Sequence, residues 1–323
     1  VIDNSGNISA ETYAGNAIGI QADSFYGTYI NNSGDINAET TYGSARGIQA
    51  LTTYDVTVVN SGDLTVSSYA VGSAQGIRAK STNGYALIDN SGDISATSTY
   101  TNAIALLATA YYDVDIINTG DLSAVSDANV YGIYANARFG DTYVYSSGDI
   151  TANATNLTGS GIYAAAGGSS VIVNAGDISA SSVYANSYGA YALALFGSAA
   201  IFNSGDVSVD AYYDSTGLFA KSLYGVAYIN NSGDVSVNSE YGIAAYGLYA
   251  SAFGSSAVVL NYGGDVSASS YDSDASAIVA VALDDVVIYN SGDLSAYSYN
   301  GDAIGLVGVT TDGNVTIYNI GGD

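Results

Sequence analysis

Apolar and polar side chains alternate along this chain with a period of two, in short runs that return in a fixed order. One run is typified by Leu64-Thr65-Val66 and Ile94-Ser95-Ala96. A second reads Ala-x-Gly-Ile-x-Ala, at Ala17 to Ala22, Ala45 to Ala50 and Ala74 to Ala79. A third is β-branched, as in Val56-Thr57-Val58-Val59 and Val286-Val287-Ile288-Tyr289. Period-two alternation bounded by Gly, Asn, Asp and Ser predicts strands, and helical spacing is not sustained anywhere.

The runs are punctuated by Asn-Ser-Gly-Asp. Its glycines are Gly6, Gly34, Gly62, Gly92, Gly120, Gly148, Gly176, Gly205, Gly233, Gly264, Gly292 and Gly322, so successive copies lie 28 to 31 residues apart. Asp follows the Gly in every copy but the first, which carries Asn7. Asn stands two residues before it in nine copies, Ser146 replaces it once, and Asn261 and Asn319 lie three before. Such self-similarity is the mark of a repeat architecture.

Three strands and three corners per repeat describe an all-β fold: a parallel, three-sided β-helix solenoid of about eleven coils of 28–31 residues. Each strand pairs with its counterpart one coil away, about 4.8 Å along the axis, so the coils make a rod roughly 50 Å long. The handedness rule for parallel crossovers predicts a right-handed helix. Residues 1–323 read as one continuous solenoid, expected to be a segment of a longer array or a subunit that stacks head-to-tail.

The residue choice fits stacking. Ile or Leu of Gly-Ile-x-Ala and the valines of the third run point inward, and Ala10, Ala38, Ala96, Ala124, Ala152 and Ala180 fit a narrowing interior. The structural turn consists of Asn32 and Gly34, Asn60 and Gly62, Asn90 and Gly92, Asn118 and Gly120, with their equivalents. There Gly is expected to supply a positive φ, and Asn to bond the turn and to ladder with the next coil.

Composition narrows the function. Thirty acidic against five basic residues give a net charge of −25, which argues against nucleic acid and anionic membrane partners and for Ca²⁺ or a basic protein surface. With no Cys and no His there is no disulfide, thiolate site or familiar catalytic triad. No apolar run is long enough for a membrane-spanning helix.

Three features carry candidate chemistry. The first is an acidic ladder of Asp35, Asp63, Asp93, Asp121, Asp149, Asp177, Asp206, Asp234, Asp265 and Asp293. It reads first as turn chemistry facing solvent. Repulsion of about 1 kcal/mol per pair in water would be relieved by Ca²⁺, the one cofactor the residues suggest. The second comprises two aromatic columns. One follows the first strand (Tyr13, Tyr42, Tyr69, Tyr100, Tyr184, Tyr213, Tyr241, Tyr271, Tyr299) and the other the second strand (Tyr26, Tyr54, Tyr85, Tyr112, Phe139, Tyr224, Phe253). Rings over solenoid corners cover the core, and Tyr42, Tyr69, Tyr100, Tyr184, Tyr213, Tyr241 and Tyr271 also offer a contact surface for sugars or proteins. The third is Arg78 and Lys80, close in one coil and flanked in sequence by Asp55 and Asp89. A glycan-cleaving site would need such basic and acidic groups in one cleft, but the coils are too alike to nominate one. An ice-binding Thr ladder is not formed by Thr57 and Thr316.

At the anchor the chain resembles a known group. Asn90 to Ala96, Asn-Ser-Gly-Asp-Ile-Ser-Ala, is similar to the Asn-x-Gly-x-Ile-x-Ala repeats of bacterial autotransporter passenger domains and filamentous-haemagglutinin-like adhesins, although its coil is longer than theirs. The resemblance implies a secreted or surface-exposed rod on a Gram-negative cell, serving adhesion, aggregation or matrix formation. The expectation is therefore an extracellular or cell-surface structural and adhesive filament without catalysis, whose partners are further copies of itself or a cell-surface or glycan receptor. The alternatives are a glycan-binding or glycan-cleaving β-helix and a Ca²⁺-dependent surface array.

Overall fold

The computed structural model describes residues 1–321, in which every regular element is a β-strand. The strands form three all-parallel sheets of 11, 11 and 12 strands, each strand paired with its counterparts in the coils before and after. The first sheet holds the strands that follow the anchor, from Ile8–Ala14 to Leu294–Ser298. The second holds the Ala-x-Gly-Ile strands, from Ala17–Ser24 to Ala303–Thr310. The third holds the β-branched strands that enter the next anchor, from Ile2–Asn4 to Val315–Asn319. The three-sided β-solenoid expected from the repeat is the fold observed. Gly322 of the twelfth anchor lies outside the described residues.

Strict register turns the repeat into a core. Ile94 pairs with Leu64 and Leu122 in the first sheet, Ile88 with Val58 and Ile116 in the third, and Leu106 with Ile77 and Ile133 in the second. All nine are fully buried, forming an unbroken apolar column along the axis. Each coil alone would leave this face wet, so the hydrophobic gain, about 25 cal/mol per Å² of apolar area, is realised only between coils.

Alternation breaks at one place in each coil, and the break is built in. On the second-sheet strand Val130–Ala137, Gly132 and Ile133 are both buried. A Cβ on Gly132 would lie 2.3 Å from the Ile150 side chain and 2.7 Å from the Gly161 carbonyl oxygen. The bare glycine is the socket into which the first-sheet Ile of the next coil packs; at Gly189 and Gly217 the occupant is Val207 and Val235.

The anchor glycines act differently from the expectation. Positive φ angles occur at Gly15, Gly43, Gly72, Gly263 and Gly321; none of the anchor glycines from Gly6 to Gly292 is among them. The constraint at the anchor is distance. A Cβ on Gly62, Gly92 or Gly120 would sit 2.1 to 2.2 Å from the carbonyl oxygen of the anchor Gly one coil earlier. No side chain fits between corners stacked so closely. Positive φ is needed instead at the corner after the first strand in the early coils, and at Gly263, which absorbs the residue inserted before Gly264.

The Asn ladder is as expected. Each buried Asn donates its amide twice, to the carbonyl of its own anchor Gly and to the side-chain oxygen of its counterpart in the next coil, which is Asn Oδ1 everywhere but at Ser146. For Asn60 the distances are 2.7 Å to Gly62 O and 2.8 Å to Asn90 Oδ1. The run extends from Asn4 through Asn32, Asn60, Asn90 and Asn118. It resumes at Asn174 and continues through Asn203, Asn231, Asn261 and Asn290 to Asn319. A hydrogen-bonded buried polar column fixes register where an apolar one would slide.

Candidate functional site

The acidic ladder lies along the edge where the third sheet turns into the first. Its carboxylates are exposed, yet one oxygen of each from Asp35 to Asp265 is committed. The Asp63 N–H donates to Asp35 Oδ1 at 3.1 Å, Asp93 N–H to Asp63 Oδ1 at 3.0 Å, and Asp121 N–H to Asp93 Oδ1 at 2.9 Å. The same bond repeats through Asp149, Asp177, Asp206, Asp234 and Asp265 to the N–H of Asp293. Each carboxylate thereby caps a backbone donor that the corner leaves without a strand partner. The ladder also borders three shallow hollows of about 390, 380 and 260 Å³, end to end along the rod and floored by Ser and Thr of the first sheet. Among the described residues no group of three or more acidic side chains is placed to hold a metal ion.

Tyr42, Tyr69, Tyr100, Tyr184, Tyr213, Tyr241 and Tyr271 stand 48 to 65 % exposed. Ring contacts join Tyr13 to Tyr42, and then Tyr184, Tyr212, Tyr241, Tyr271 and Tyr299 in series. At one point the column differs from the expectation: Tyr212, half-buried, takes the place between Tyr184 and Tyr241, while Tyr213 stands outside it, edge-on to Tyr212 at 5.1 Å. In the other corner column Tyr85 stacks on Tyr112, while Tyr54 meets Phe25 and Phe139 meets Tyr111. Arg138 and Lys221 lie over Phe139 and Phe253 at 5.2 and 5.6 Å. These two cations thus cover aromatic surface.

A third aromatic array was not anticipated and is the most extensive. It lies on the outer face of the second sheet, at the variable position of Gly-Ile-x-Ala. Tyr134, Tyr163, Tyr191, Phe219 and Tyr249 are register partners on five adjacent strands. Their centroids are 5.2, 5.4, 4.7 and 4.7 Å apart in turn. Tyr131, Tyr188 and Tyr246 flank them on the same face. Rings one coil apart are close to van der Waals contact, so Phe219 is sandwiched nearly parallel between Tyr191 and Tyr249. Burial, followed by neighbouring phenols, pushes the hydroxyls of Tyr131, Tyr163 and Tyr191 above the ordinary tyrosine range. At Tyr188 burial also raises the phenol, against a hydrogen bond to Asn186 that lowers it.

The same face turns basic toward the first coils. Arg46, on the strand Ala45–Thr52, donates to Gln75 on Ala74–Ser81 at 3.1 Å, and Arg78 pairs in register with Gln49. Burial and the neighbouring charge of Arg78 lower the Arg46 guanidinium from its usual value. The expected acidic companions are elsewhere: Asp89 projects from the third sheet, and Asp55 occupies a corner where its Oδ1 accepts the Tyr85 N–H at 3.1 Å.

A continuous parallel β-solenoid with one aromatic face and one carboxylate edge defines the chain as a β-helix repeat protein. The family described as the BigA third pectate lyase-like domain matches residues 1–242, and the chain belongs to it. That domain is one of bacterial surface proteins. No curated protein and no solved structure matches the chain.

Proposed function

We propose that the chain is an extracellular rod on a bacterial surface that holds an adhesive face away from the cell, without catalysis. The observation that carries this reading is the aromatic ladder Tyr134–Tyr163–Tyr191–Phe219–Tyr249, a flat contact surface spread over five coils. Tyrosines held rigidly on a sheet bring large contact area at little conformational cost. Membership of a surface-protein family and the likeness of the anchor to adhesin repeats support the same reading. The partner is a cell-surface receptor, and stacking of copies end to end would lengthen the rod in the manner of a filament.

The test uses beads coated with the chain and with a variant in which Tyr163, Tyr191, Phe219 and Tyr249 are serine. Beads carrying the unaltered chain are expected to adhere to host or bacterial cells. The variant, checked by circular dichroism for its strands, is expected to lose adhesion at least tenfold. Equal adhesion by both removes the face from the function.

The basic patch favours a second reading. Arg46, Arg78 and Lys80 share two adjacent strands with Gln49 and Gln75 at one end of this face. Guanidinium and amide donors on a face that carries aromatic rings further along suit an anionic polysaccharide laid along the rod. Release of new chain ends from polygalacturonate by the purified protein would establish cleavage and overturn the non-catalytic reading.

A further inference from the structure

A hollow lies away from the ladder face, where the first sheet turns toward the second in the seventh to ninth coils. It measures about 480 Å³, and its lining includes Tyr184, Tyr212, Asp210, Glu240, Val183 and Ala211. Asp210 is the register partner of Ser181 and Asn238, so an acidic side chain stands where the neighbouring strands carry neutral ones.

Two properties of this hollow bear on what it can bind. Its rings are tilted, Tyr212 lying at 55° to Tyr184 and 38° to Tyr241, so neither neighbour lies flat on the Tyr212 ring. In the second-sheet ladder, by contrast, Phe219 has both faces covered. Its carboxylates are also uncommitted: each Asp of the anchor ladder from Asp35 to Asp265 accepts a backbone N–H, whereas Asp210 and Glu240 accept no hydrogen bond among the described residues. Glu240 lies close enough to raise the Tyr212 phenol, after burial and the neighbouring tyrosines. No basic residue lines the hollow.

We infer that this hollow is a binding site for an alkylammonium group, the side chain of a lysine on a partner protein. Aromatic rings attract a cation through their quadrupole, and two unpaired carboxylates add a second attraction of the same sign. The apolar part of the lining distinguishes lysine from an amino sugar. A lysine carries a bare methylene stem to lay on Val183, Ala211 and the rings, with its charge at the tip; an amino sugar is polar around its whole rim.

The test titrates the full chain with Nα-acetyl-lysine N-methylamide, following amide shifts by NMR. Saturable binding centred on coils seven to nine is expected, weakened at least tenfold in the Asp210→Asn, Glu240→Gln double variant and in Tyr212→Leu. Neither carboxylate is tied into the fold, so the double variant should melt with the parent. The Nε-acetylated probe is expected not to bind, and added salt to weaken binding. Absence of saturable binding, equal binding of the Nε-acetylated probe, or undiminished affinity in the double variant would each overturn the proposal. Tighter binding of a glucosamine oligomer than of the lysine probe would overturn it too. Adhesion by the second-sheet ladder stands or falls separately, since none of these residues belongs to it.

Discussion

Ser146 lies one coil before Asn174 in strict register, and the Asn174 side-chain oxygen is buried with no hydrogen-bond partner. Elsewhere that oxygen accepts from the amide of the preceding Asn. The single Ser146 hydroxyl hydrogen is spent on the Gly148 carbonyl at 3.3 Å, so nothing remains for Asn174. The Asn ladder is therefore cut once, near its middle, by one hydroxyl in place of an amide.

Ser146→Asn should mend the cut. The new amide would donate to Gly148 O and to Asn174 Oδ1, and its oxygen would accept from Asn118, which now reaches Ser146 Oγ at 3.2 Å. Satisfying a buried acceptor contributes about 1–3 kcal/mol. Thermal unfolding of the full chain should shift upward, whereas Asn60→Ser, which makes a second cut, should lower it by a similar amount.

Gly120→Ala should be severely destabilising, by about 3 kcal/mol or more, because the added Cβ would be driven into the Gly92 carbonyl at 2.2 Å. Gly6→Ala is the control. A Cβ there meets nothing within 4 Å, and its melting should match the parent. If the anchor glycines served a backbone angle and not a distance, the two substitutions would cost alike.

The acidic ladder should tolerate loss of charge but not loss of its acceptor. Asp93→Asn keeps an oxygen for the Asp121 N–H and removes repulsion between coils, so it should be neutral or slightly stabilising at low salt. Asp93→Ala leaves that N–H without its partner and should cost about 1 kcal/mol. The first coil already makes the tolerated substitution, since Asn7 Oδ1 accepts the Asp35 N–H at 3.0 Å. Denaturant melts at two salt concentrations separate the two effects.

The ladder tyrosines predict alkaline instability. Burial raises the folded-state phenols of Tyr131, Tyr163 and Tyr191 above the unfolded value near 10. The stability that goes with their neutral form is complete below about pH 10 and is lost as pH rises toward the folded-state values. Phenolate absorbance from Tyr131, Tyr163 and Tyr191 should therefore appear late in an alkaline titration, together with loss of β-structure. Tyr191→Phe should diminish that late rise.

The repeat was legible because stacking physics writes itself into every coil: Ile94, Leu64 and Leu122 occupy one slot, and so do Asn60, Asn90 and Asn118. The reason for the anchor glycines was not legible, since a positive φ and a close approach of two backbones select the same residue. The ladder of Tyr134, Tyr163, Tyr191, Phe219 and Tyr249 carried a signal that alignment on Gly-Ile-x-Ala exposes. The variable x is Gln49 and Arg78 early, aromatic through the middle, then Val279 and Val307. Tyr212 and Tyr213 are adjacent in sequence, and only the corner geometry decides which ring joins the column. Asp210 and Glu240 gave no warning at all, because uncommitted carboxylates differ from capping ones only in what lies within 3 Å of them.

In all three sheets the hydrogen bonds between coils run along the rod axis, so a pull on its two ends loads them in tension and in series. No bond shares the load with one further along, and rupture proceeds coil by coil. Each event frees about 28 residues, roughly 95 Å of extended chain. A rod built in this way answers a pull on its ends by lengthening in small, repeated yields.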